Sequence, residues 1–158
     1  MTGKKNDRSL LRELVRITGK ELIQLSKTAD RIQKQAIDLS WILSLETSDD
    51  RSEMLDAFVS RFGRLQDTLG DKLLPLILRA SLEKTGTQLD NLFRAEKMGW
   101  LESAQSWIEN RELRNRLIHE YMESPEDLLE ALKQALNGVT VLREAQRRLS
   151  SYALDHLL

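Results

Sequence analysis

Two prolines in 158 residues, Pro75 and Pro125, leave this chain few places where a helix is forced to stop. Proline breaks a helix because it lacks the N–H that the i−4 carbonyl needs and its ring clashes with that carbonyl. Leu, Ala, Glu, Lys, Arg and Gln dominate the remainder and β-branched residues are thin, so propensity favours helix almost throughout. A first helical region is expected from about Ser9 to Leu45, with Gly19 and Ser26–Thr28 as weak points. "TSDD" (Thr47 to Asp50) offers N-caps for a second helix carrying Met54, Leu55, Phe58, Phe62 and Leu65. Gly70 and Asp71 mark a break, before a short buried helix started or kinked near Pro75. Further helices are expected over about Thr87–Lys97, Glu102–Met122 and Pro125 to Tyr152 or beyond. The last opens on "SPED", a Ser cap followed by Pro and two acids, and has Gly138 as its interior weakness. The expectation is an all-α, up-and-down bundle of five or six helices. Residues 1–8 read as a flexible tail and 9–158 as a single helical domain, long enough to bury a core without covalent staples.

The absence of cysteine excludes disulfides and thiolate metal sites and suits a reducing cytoplasm. With two histidines there is no His-rich metal cluster, and neither a metal nor a cofactor is expected. The opening residues carry charges without an apolar stretch behind them and are not expected to act as a signal peptide. No apolar run approaches the roughly 20 residues that span a bilayer, so no membrane partner is expected. The formal net charge of −1 gives no bulk attraction to nucleic acid. Charge is nevertheless uneven: residues 1–34 hold nine Lys/Arg against four Asp/Glu, and residues 35–71 hold three against eight. Contact with phosphate must therefore come from a local cluster. Phosphate-cradling glycine loops and a serine-nucleophile turn are absent from the sequence.

The stretch "RNRLIHEYM", Arg114 to Met122, raises the functional question. Projected at ~100° per residue with Arg111 at zero, Ala104, Trp107, Ile108, Ile118 and Met122 gather within ~60° as the apolar face. Glu102, Gln105, Glu109, Glu112, Arg116 and Glu120 form the opposite face, where Arg116 has i±4 glutamates and a simple ion-pair explanation. On this projection Arg111 lies at the centre of the apolar face, flanked by Arg114 and Asn115, with His119 and Tyr121 at its edges. An unpaired buried guanidinium costs several kcal/mol, so these groups require carboxylates, a wet cleft or an anion. Singly each has an ordinary explanation: His119 as a C-terminal cap, Tyr121 as a core-edge residue, Asn115 as a local backbone partner. Jointly, at fixed spacing, they form a pattern.

Arg114-Asn115-x-x-x-His119-x-Tyr121 resembles the signature of HEPN-domain proteins, in the form found in the HepT-like branch whose members pair with an MntA-type nucleotidyltransferase antitoxin. The resemblance covers about eight residues, and residues 1–100 are not aligned position by position. It implies a metal-independent endoribonuclease toxin acting as a homodimer, with the two motifs facing across a two-fold axis. Carried onto this chain, it makes Arg114 and His119 the catalytic pair and Asn115 the polar position beside the arginine. Tyr121 becomes the residue that the partner transferase modifies with AMP. Arg111 matches no part of the pattern and enters as a secondary phosphate contact from the projection alone.

The residue chemistry is compatible with that activity. Cleavage of RNA by its own 2′-hydroxyl needs that group deprotonated, charge on the phosphate offset and the 5′-oxygen protonated as it leaves. Histidine's ordinary pKa of about 6.5 suits both proton transfers, and arginine forks onto two phosphate oxygens. One chain supplies one histidine in the motif, and a two-fold dimer supplies the second. The alternative is a non-catalytic helical subunit that partners a nucleotidyltransferase, with Arg114 and Asn115 binding nucleotide or fixing the dimer. A third reading is a helical adaptor in which the motif is coincidental.

Overall fold

A computed structural model describes residues 2–120 and 124–158, and Tyr121, Met122 and Glu123 lie outside the described residues. The chain is an all-α helical bundle. The helices are α1 (Thr2–Gln33), α2 (Leu39–Leu43), α3 (Asp49–Asp67), α4 (Leu74–Ala80), α5 (Gln88–Lys97), α6 (Ala104–Glu120) and α7 (Pro125–Tyr152). No helix among the described residues is long and apolar enough to cross a membrane.

The first helical region differs from the sequence expectation at both ends. Residues 2–8, expected as a tail, already belong to α1, and Arg8 Nε donates to the Leu157 carbonyl at 3.3 Å. The helix then runs through Gly19 and Ser26–Thr28 unbroken. Its hydroxyls are absorbed locally: Thr18 Oγ1 donates to the Leu14 carbonyl at 2.8 Å and Thr28 Oγ1 to the Gln24 carbonyl at 3.2 Å. The interruption falls instead at residues 34–38. There Asp38, in an extended conformation, caps α2 by accepting from the Trp41 amide at 2.8 Å. Gln35 holds the indole of the same tryptophan at 2.7 Å. Leu11, Leu14, Leu25, Ala29 and Ile32 form the buried stripe of α1 at helical spacing.

Between α3 and α4 the chain does not break at Gly70 and Asp71. It passes through a π-helical segment, Thr68–Leu73, directly into α4. Widening the helix just ahead of Pro75 relieves the conflict between the proline ring and the preceding turn. Gly70 serves packing here: a Cβ on it would lie 3.1 Å from Cζ2 of Trp107 on α6.

The remaining boundaries follow local capping signals. Thr87 and Asp90 form a capping box at the start of α5. Gly99, at φ +80°, ends α5 in the left-handed region that glycine enters without strain. Ser124 accepts from the Asp127 amide at 3.4 Å, with Pro125 in the first turn of α7. One hydrophobic core draws on all seven helices, and α6 lies against α7 on one side and α3 on the other.

Candidate functional site

Helix α6 buries Ala104, Trp107, Asn110, Leu113 and Leu117. That face is centred on Asn110, one residue and roughly 100° of arc from Arg111. The projection from sequence is corrected accordingly: Arg111 is exposed and does not lie at the centre of the buried face. Asn115 and His119 are also exposed, and Ile118, expected in the apolar face, is 56% exposed. Arg111, Asn115 and His119 stand at i, i+4 and i+8, so they line up along one ridge of the helix. Ile118 lies beside them. Tyr121, the expected modification site, is outside the described residues.

Asn110 explains the rotation. It is 3% exposed, and its Nδ2 donates to the Gly138 carbonyl of α7 at 2.9 Å. Gln66 of α3 donates to the Asn110 carbonyl at 3.0 Å. A polar residue is thereby held at the centre of a helix face between two neighbours, with its Nδ2 and its backbone carbonyl both paired. A Cβ on Gly138 would overlap Asn110 Oδ1, so the glycine that looks like a weakness in α7 is the seat of this asparagine.

Arg114 sits at the border of the buried face and the ridge. Its side chain crosses α3 over Gly63 and ends on Asp67, with Nη1 and Oδ1 2.6 Å apart. The carboxylate that this arginine requires thus comes from α3. A second acid, Asp71, stands in the π-helical segment. Burial pushes its carboxyl above the ordinary aspartate value and nearby Asp67 adds to the rise, while Arg111 and Arg114 pull it back. Gln88 of α5 donates to the same carboxyl. Arg114 thus pairs with Asp67 at the end of α3, and Asp71 in the π-helical segment feels the charge of both Arg111 and Arg114.

Arg114 and His119 are not brought together within one chain. Five residues of helix separate them by roughly 140° around the axis. Arg114 turns onto α3, and His119 points outward with no hydrogen bond to any described residue. A groove between α3 and α6 runs beside Arg114, with Arg64, Asp67, Lys72, Arg114 and Ile118 on its walls.

Sequence reasoning did not single out Asp67, Gln66 or Asn110, and read Asp71 only as part of a break. The available signal was glycine inside strong helical patterns, at Gly63 and Gly138, where a neighbour's side chain crosses closely. No protein-family model, curated protein or solved structure matches the chain.

Proposed function

We propose that the chain is a metal-independent endoribonuclease that acts as a homodimer, with the α6 ridges of two copies facing each other. The observation that carries this reading is the exposed alignment of Arg111, Asn115 and His119 beside an uncovered Ile118. A ridge with cationic, polar and apolar groups suits both an isologous contact and an anionic substrate. Because Arg114 and His119 diverge around one helix, a site using both needs His119 of one copy near Arg114 of the other. In such a site one imidazole takes the 2′-hydroxyl proton and the second protonates the departing 5′-oxygen. The guanidinium groups offset charge on the phosphate as it builds.

The test is cleavage of RNA by the purified protein in EDTA. Activity should persist in EDTA and be lost in His119→Ala and in Arg114→Ala. Co-expression of the two variants should not restore it, because a mixed dimer holds one imidazole where the two proton transfers need two. An unsubstituted protein that leaves RNA whole, or a His119→Ala variant as active as wild type, overturns the reading.

A second reading is favoured by the Arg114–Asp67 pair, since a guanidinium already bound to a carboxylate can serve as a purely structural link. In that case the chain is a non-catalytic helical subunit of a nucleotidyltransferase. His119→Ala then alters partner binding and leaves RNA untouched. Under either reading the family resemblance supplies the regulatory proposal: the Tyr121 phenol oxygen, losing its proton, attacks the α-phosphorus of ATP in a partner transferase and takes the AMP group as pyrophosphate leaves. An anionic adduct two residues from His119 would repel the RNA backbone.

A further inference from the structure

The groove between α3 and α6 carries two cations, Arg64 and Lys72, that the catalytic proposal does not use. Three cations line it, Arg64, Lys72 and Arg114, against the single carboxylate of Asp67, which Arg114 already binds. Arg64 and Lys72 are exposed and form no ion pair within 4 Å among the described residues, although the charge of Glu21 acts on both; Arg64 donates to Ser60 Oγ at 3.4 Å. The acid behind them, Glu21, is engaged with Thr68 Oγ1 at 3.2 Å. Arg64 and Lys72 are eight residues apart along a continuous helical path, about 12 Å by helical rise. Two separated cations beside an apolar wall match an extended chain of phosphates better than one compact anion. That wall is formed by Val59 and Ile118, and Ile118 precedes His119 in the chain.

We propose that this groove is the track for the single-stranded RNA flanking the cleavage point, with Arg64 and Lys72 each contacting a backbone phosphate. The inference rests on the ribonuclease reading and adds to it a substrate class and a direction of approach. Phosphate contacts of this kind set affinity and register without reading sequence. Each released counterion gives a single strand a dependence of log affinity on log salt of about −0.7.

The experiment uses a fluorescent 12-nucleotide single-stranded RNA and the His119→Ala protein, so that the probe is not consumed. Affinity is measured between 50 and 200 mM KCl, with Arg64→Gln, Lys72→Gln and, as a remote control, Lys97→Gln added singly. Cleavage by the same three variants with His119 intact is followed in parallel, and thermal melts verify folding. The groove variants should each flatten the salt slope by about 0.7, equivalent to about threefold in affinity across that range. They should raise KM more than they lower kcat, and Lys97→Gln should do neither. If RNA binds and is cut, but the groove variants keep the wild-type slope and KM, the track is wrong and the nuclease stands. If the protein neither binds nor cuts the probe, both fall together.

Discussion

The guanidinium of Arg114 lies across the backbone of Gly63 so closely that a Cβ there would stand 2.5 Å from its Nε and 2.8 Å from its Cζ. A residue in the middle of α3 thereby determines where an arginine of α6 can lie, and Asp67, four residues further along α3, fixes its end.

Gly63→Ala tests that relationship. Alanine gains about 0.5–1 kcal/mol of helix propensity, and the displaced, partly exposed ion pair gives back at most about 1 kcal/mol. Stability by urea unfolding should therefore stay within about 1 kcal/mol of wild type. Cleavage of RNA should fall about tenfold or more, since a stabilising charge has been moved from its place. Full cleavage by this variant would separate Arg114 from the reaction.

At Gly138 the opposite balance is expected. Gly138→Ala drives a methyl into Asn110 Oδ1 and breaks the buried bond from Asn110 Nδ2 to the Gly138 carbonyl. Overpacking and an unsatisfied buried amide together should destabilise by about 2–4 kcal/mol. In an Asn110→Ala background the same change should cost less than about 1 kcal/mol, because its steric partner is gone. A double-mutant cycle by urea denaturation measures the coupling, and additive effects would refute it.

Glu21 gives a pH prediction. Burial pushes its carboxyl above the ordinary glutamate value, and Thr68, Arg64 and Lys72 oppose the shift without cancelling it. Its Oε1 is buried without a hydrogen-bond partner among the described residues. A carboxyl whose folded pKa is raised favours the fold in its protonated form, so its contribution is present in acid and lost as pH rises through the folded pKa. Glu21→Gln should raise the melting temperature at pH 7, and the gain should shrink as pH falls towards the carboxylate range. A gain that grows on acidification would reverse the sign.

Tyr121 provides the regulatory test. Incubation with a cognate nucleotidyltransferase and ATP should give an AMP adduct at Tyr121 by peptide mass spectrometry, with cleavage activity falling in proportion to its occupancy. Tyr121→Phe should keep activity and resist inhibition. An adduct elsewhere, with Tyr121 unmodified, would discard the proposal.

Much of the fold was legible because helix formation is local. The helix start near Thr87, the Ser124–Pro125 start of α7 and the stripe from Met54 to Leu65 each depend on residues within about one or two turns. The turn near Pro75 was legible as an irregularity but not as a π segment, because a proline can be accommodated by stopping, kinking or widening the helix.

The rotation of α6 was decided elsewhere. Hydropathy placed Arg111 at the centre of the apolar face, whereas Gln66 on α3 and the Gly138 carbonyl on α7 hold Asn110 there. Nor could the sequence of α6 reveal that Asp67 and Asp71, forty or more residues away, would lie near its arginines. The sequence by itself determined which segments are helical and where most of them start and stop, since those choices are made by neighbours a few residues apart. Only the tertiary structure decided which face of α6 is buried and which carboxylates meet its arginines. Those outcomes depend on the space that Gly63 and Gly138 leave in other helices, and no periodicity within α6 encodes it.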